Sequence, residues 1–155
     1  YNKVYDFGLE FFCNADGTID FKGISLFATR GGAYLGNILA TEADKREMLS
    51  RYADLALVDS VSEHICNILS AHFKGVYEGA FGVDMMAVAR EDGDGFMLHP
   101  CVELNLRRTM GHLALALTPT IAEPQRIMSI SYADKYRMRI HDTAKNLLNT
   151  SMVTP

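Results

Sequence analysis

Four side chains near the middle of the chain are of types that could act together: Asp84, Glu103, Asn105 and Arg107. The last three alternate with Val102, Leu104 and Leu106. Strand side chains have a period of two, so Glu, Asn and Arg stand in a row on one face, about 7 Å apart, with the apolar residues on the other. Two carboxylates and an amide oxygen suit a hard cation such as Mg²⁺, which takes oxygen ligands and completes its shell with water and phosphate. The planar fork of Arg107 suits phosphate or carboxylate oxygens. The expected site is a cation held by Asp84, Glu103 and Asn105, with Arg107 beside it. Glu-Leu-Asn-Leu-Arg also fits an exposed strand without chemistry, so its surroundings decide its meaning.

Those surroundings are two apolar runs flanking Glu91-Asp92-Gly93-Asp94-Gly95, the pattern of a β-hairpin. Pairing about that loop brings Asp84 to the same side as Glu103 and Asn105. Val102 and Leu104 are expected in the core. Asp92 and Asp94 lack the twelve-residue ligand pattern and closing Glu of a calcium loop and read as turn residues.

Upstream, residues 4–12 and 19–28 are β-rich and joined by an Asp-Gly turn, a first hairpin. The stretch Ser25 to Asn37 holds Gly31, Gly32 and Gly36 and reads as a loop over a site or as a simple turn. Thr41-Glu-Ala-Asp44 is a helix-capping pattern. Helical spacing follows through Met48, Leu49, Tyr52, Leu57, Val61, Ile65 and Leu69, as one long helix or two in succession. His64 and His72 lie there without a second ligand at matching spacing and read as surface or packing residues.

Downstream, residues 108–117 read as a short apolar helix with Thr109 near its cap and with no role for His112. Pro119 and Pro124 bracket an irregular segment. Residues 127–132 read as a strand, and 133–149 as a terminal helix with Met138, Ile140, Ala144, Leu147 and Leu148 inward. The order ββ, α, ββ, α, β, α predicts an α+β domain with a mainly antiparallel sheet.

A chain of 155 residues, 48% hydrophobic and 22% charged, is one ordinary globular domain with a sizeable core. A net charge of −4 and a pI near 5.7 argue against a general nucleic-acid or anionic-membrane surface. No apolar run approaches the ~20 residues of a membrane span, and no signal peptide is visible. Cys13, Cys66 and Cys101 are odd in number and far apart, which predicts buried free thiols in a reducing compartment, the cytoplasm. The chain opens on Tyr, not Met, and reads as a piece of a larger protein.

Gly82-Val-Asp84 followed by Pro100-Cys-Val-Glu-Leu-Asn-Leu-Arg107 resembles the end of the nucleotide-binding lobe of ATP-grasp enzymes. The resemblance is specific over 79–111. It implies that Asp84, Glu103 and Asn105 hold the one or two Mg²⁺ ions bridging the ATP phosphates. It also implies that Glu103, Asn105 and Arg107 bind the nucleotide cofactor and that Arg107 acts catalytically on the transferring phosphate. In that family a first lobe brings phosphate-binding lysines and a hinge reads adenine. Lys3, Lys22 and Lys74 lack that setting, so the chain resembles the C-terminal lobe with its N-terminal partner lobe missing. The implied parent is an ATP-dependent carboxylate–amine or carboxylate–thiol ligase working through an acyl phosphate on a small-molecule or peptide carboxylate, without nucleic-acid or membrane partners. The isolated chain is expected to be inactive. An ATP-grasp-type kinase and a non-catalytic binding or structural domain are the alternatives.

Overall fold

Apolar residues at every second position, Tyr5, Phe7, Leu9, Phe11 and Cys13, make the first strand the centre of the fold, and all five are buried. The computed structural model describes residues 2–118 and 126–142. This strand, β1 (Lys3–Cys13), pairs antiparallel with β2 (Ile19–Arg30) on one side and with β4 (Gly79–Ala89) on the other. Between β2 and β3 (Ala33–Leu39) lies a tip of Gly31 and Gly32, both at positive φ, the backbone that a two-residue hairpin turn needs. The stretch Ser25 to Asn37 is therefore the second half of one strand, a tight tip and most of another, and not a loop.

The remaining elements are α1 (Glu42–Leu49), α2 (Leu55–Phe73), β5 (Phe96–Asn105), α3 (Met110–Ala116), β6 (Arg126–Tyr132) and β7 (Tyr136–Asp142). They complete a seven-stranded sheet in the order β5-β4-β1-β2-β3-β6-β7 with every pairing antiparallel, so the α+β, mainly antiparallel expectation holds. Two helices follow Thr41, whose hydroxyl accepts the Asp44 N–H at 3.2 Å, with a break between Leu49 and Leu55. The helices α1 and α2 cover the face of the sheet that carries the odd-numbered residues of β1, and the main core lies between. The opposite face receives α3, whose Ala114 is buried against Leu39 and Met128.

Three expectations are corrected. Residues 136–142 form a strand and not a helix, because Tyr136, Met138 and Ile140 alternate with Arg137, Arg139 and His141 at the strand period; Met138 and Ile140 are exposed, not inward. Ala144, Leu147, Leu148, Pro119 and Pro124 lie outside the described residues. Of the three thiols only Cys13 is buried; Cys66 is partly covered and Cys101 is exposed. Among the described residues no helix is long and apolar enough to cross a membrane.

The third correction concerns Val102 and Leu104, which are 52% and 41% exposed. Leu104 faces as expected, since it pairs with the buried Val83, whereas Val102 falls in an irregular stretch of β5 without a ladder partner. However, β5 is an edge strand, and an open groove lined by Val61 and Ile65 of α2 and by Leu104 lies between them. Leu104→Ala should therefore cost about 1 kcal/mol in urea denaturation, below the ~2–5 kcal/mol of a fully buried leucine. A loss of several kilocalories would mean that this face is covered in solution.

Candidate functional site

Cross-strand register builds the site in two rows on the α3 side of the sheet. One row runs Ser25, Gly8, Asp84, Glu103 across β2, β1, β4 and β5. The next runs Gly23, Glu10, Gly82, Asn105 across the same strands. Asp84 and Glu103 are thus direct cross-strand partners, whose side chains stand about 5 Å apart at Cβ. One irregularity lies beside them: between Asp84 and Met86 only Met85 intervenes, whereas Pro100, Cys101 and Val102 stand between their partners His99 and Glu103. Pro100 has no N–H to give the ladder, which suits a bulge at an edge. The bulge adds two residues, so Glu103 and Asn105 keep their face.

The four predicted residues line one cavity of about 340 Å³, together with Glu10, Ser25, Thr29, Tyr34, Asn37, Thr109 and the backbone at Gly32 and Gly111. Asn105 Nδ2 donates to Asp84 Oδ2 at 3.2 Å, and Arg107 Nη2 donates to Asn105 Oδ1 at 2.8 Å. Glu103 is exposed at the rim and Asp84 is partly buried. Burial first, then the negative charges of Glu10 and Glu103, push the Asp84 carboxyl up to about 6, against the pull of Asn105 and Arg107. Tyr34, its phenol pushed up by burial and then by the Glu10 charge, donates to Asn37.

Both carboxylates and the amide are hard oxygen donors, so the set fits an Mg²⁺-class ion. In the present rotamers no three His, Cys, Asp or Glu side chains among the described residues form an ion cage. The Asn105 oxygen is held by Arg107. Its second lone pair is open to a cation, and phosphate oxygens competing for the guanidinium would free the amide to turn toward it.

Sequence reasoning missed Glu10 and His112. Glu10 is 1% exposed. Its Oε1 accepts from Ser25 at 2.8 Å, and its Oε2 accepts from the Thr109 hydroxyl at 2.7 Å and lies 2.9 Å from His112 Nδ1. The other ring nitrogen, Nε2, is 3.0 Å from the Phe11 carbonyl and must carry a proton to donate there. Protonated, the ring donates from Nδ1 to Glu10; neutral, it accepts the Thr109 N–H at 3.2 Å and completes the cap of α3. Burial pulls the His112 pKa down, but the Glu10 carboxylate and the Phe11 carbonyl outweigh it and the net shift is upward. A sequence signal existed in Gly82 and Gly111: a Cβ at Gly111 would come within 1.8 Å of Glu10 Oε1, and one at Gly82 within 2.7 Å of Oε2.

The raised Asp84 carboxyl has a sign that can be tested. A group whose folded pKa lies above its unfolded value favours the fold at low pH and loses that contribution as pH rises through the folded value. Asp84→Asn should therefore stabilise the chain by roughly 1 kcal/mol near pH 7.5, allowing for partial exposure, and by nothing below about pH 4. Melting curves at the two pH values would show it; equal stabilisation at both would put the origin elsewhere.

No family model and no curated protein matches the chain. Solved structures do. A protein assigned to the ATP-grasp superfamily from Archaeoglobus fulgidus aligns over 92% of this chain and 46% of its own, at 14% identity and a TM-score of 0.46. The chain is similar in fold to ATP-grasp proteins. N5-carboxyaminoimidazole synthetase from Staphylococcus aureus, in complex with ADP, aligns over 83% of this chain and 35% of its own, at 13% identity and a TM-score of 0.46. The phosphoribosylaminoimidazole carboxylase ATPase subunit from Aquifex aeolicus aligns over 96% and 45%, at 12% identity and the same score. The chain thus spans less than half the length of each ATP-grasp structure. A likeness of this strength concerns the fold and assigns no residue a role.

Proposed function

We propose that this chain is the cation- and phosphate-binding lobe of an ATP-dependent ligase that activates a carboxylate as an acyl phosphate. The observation that carries the reading is the cross-strand pair of Asp84 and Glu103 opening into one cavity with Asn105 and Arg107. Two facing carboxylates with one raised pKa are costly at neutral pH unless a cation joins them. Asp84, Glu103 and Asn105 would hold Mg²⁺, which when bound neutralises charge on the phosphate oxygens. Arg107 would bind the phosphate in exchange for its bond to the Asn105 amide, and such fixed charge is usually the largest share of catalysis.

Arg107 is the one basic side chain among the described residues on the cavity wall. Lys45 is buried, donating to the Ile24 carbonyl at 2.6 Å and pairing with Glu42, and Lys3 and Lys22 are engaged with Asp6 and Asp20. One guanidinium is too little for a triphosphate. The reading therefore calls for a second lobe that brings further cations and covers the base.

Calorimetric titration of the purified chain with ATP should show weak binding that disappears with EDTA, and no turnover. Sustained ATP hydrolysis that scales with the concentration of this chain alone would overturn the two-lobe reading. Binding that ignores Mg²⁺ would favour a non-catalytic domain. In a protein carrying both lobes, phosphate release that depends on an added amine or thiol marks a ligase; phosphate transfer without one marks a kinase.

A further inference from the structure

Glu10 is a buried carboxylate that the proposed chemistry does not use. Two hydroxyls, of Ser25 and Thr109, donate to it, and the ring of His112 lies 2.9 Å away and adds a third donor when protonated. A carboxylate filled in this way makes a fixed point more readily than an ion ligand. Glycines shape the slot around it. A Cβ at Gly8, Gly82 or Gly111 would lie 3.0, 2.7 or 1.8 Å from a Glu10 oxygen.

What the fixed point holds follows from the chain path. Asn105 ends β5 in register with Gly82, which is also the partner of Glu10. The Arg107 N–H closes a tight turn on the Asn105 carbonyl at 2.8 Å. Two residues later Thr109 donates to Glu10, and His112 is engaged through both ring nitrogens by Glu10 and by its neighbour Phe11. The stretch from Asn105 to Thr109 is anchored at one end by the sheet ladder and at the other by Glu10. Arg107 lies between the anchors, with its guanidinium on Asn105.

We infer that Glu10 is a positioning residue: through Thr109 and His112 it holds the turn between β5 and α3, and with it the reach of Arg107 and the orientation of the Asn105 amide. What is positioned rests on the cation–nucleotide reading above, whereas the clamp can be observed without nucleotide.

The test uses the full chain and two readouts. In the metal-free protein, the Arg107 side-chain Nε–H signal and amide exchange over residues 107–112 report the clamp. Mn²⁺ with ATP, followed by electron paramagnetic resonance, reports the site. Wild type that fails to bind Mn²⁺ with ATP overturns the cation–nucleotide reading, and the metal-free signals still judge the clamp. Glu10→Gln and Thr109→Val should each shift the Arg107 signal and speed exchange. They should also weaken binding by about ten- to a hundredfold, the range for groups that orient an ion's ligands, while Thr109→Ser stays within about twofold of wild type. An unchanged Arg107 signal in folded Glu10→Gln overturns the inference, as does Thr109→Ser as impaired as Thr109→Val. If Glu10→Gln does not fold, the Thr109 pair decides.

Discussion

Gly111→Ala should destabilise the chain by about 2–4 kcal/mol, one of the largest effects of any single methyl group in it. The added Cβ would sit 1.8 Å from Glu10 Oε1 and 2.6 Å from the Ser25 hydroxyl. Side-chain ends normally swing clear of such a contact at little cost. Here Glu10 is 1% exposed, accepts from the hydroxyls of Ser25 and Thr109 and lies against the His112 ring, so swinging clear leaves buried polar groups unpaired. The alternative is that α3 lifts from the sheet, which uncovers Ala114 and Met128. Helix propensity works the other way, because Ala is favoured over Gly by about 1 kcal/mol inside a helix, so the sign of the result is diagnostic. A double-mutant cycle isolates the cause: Glu10→Ala removes the obstructing carboxylate, and Gly111→Ala should then cost far less on that background. A single variant within half a kilocalorie of wild type, or strictly additive effects of the two changes, would mean that α3 does not seat on Glu10 as described.

The sequence made the polar face of the β4–β5 pair legible and left its support hidden, for physical reasons visible in single residues. Period-two alternation around a Gly/Asp loop is a local signal, and it placed Asp84, Glu103 and Asn105 on one face. It survived the bulge at Pro100 only because two residues are inserted there; an odd insertion would have turned Glu103 to the other face. Glu10 is one polar residue in an apolar run, and the Thr109 that holds it is 99 positions away. Only Gly82 and Gly111 hinted at it, and a glycine does not say what it makes room for. Alternation gave the facing of Leu104 but not its burial, since burial depends on whether a helix reaches the edge of the sheet. Tyr-Arg-Met-Arg-Ile-His at 136–141 carries the same alternation as β5 and could have been read as a strand.

Glu103→Gln should weaken Mg²⁺-dependent nucleotide binding by about a hundredfold or more, since even groups one step removed from an ion are worth about ten- to a hundredfold. In a protein with both lobes it should abolish turnover. The same change should leave the melting temperature unchanged or raised at neutral pH. Glu103 is exposed and faces Asp84, and its charge is one of the causes that push the Asp84 carboxyl up. Removing it relieves like-charge repulsion and disturbs no core contact. The amide still offers an oxygen, so loss of binding would report the missing charge and not a missing acceptor. Opposite movement of binding and stability is what separates a cation site from a structural strand. A residue that only completed the hairpin would lose both together, and a solvated surface carboxylate would lose neither. The effect on Asp84 supplies an internal control. With Glu103 neutral, the Asp84 carboxyl should titrate lower, and the stabilisation gained from Asp84→Asn near pH 7.5 should shrink on that background. A fall in melting temperature with nucleotide binding intact would remove Glu103 from the ion's shell and return the hairpin to a purely structural role.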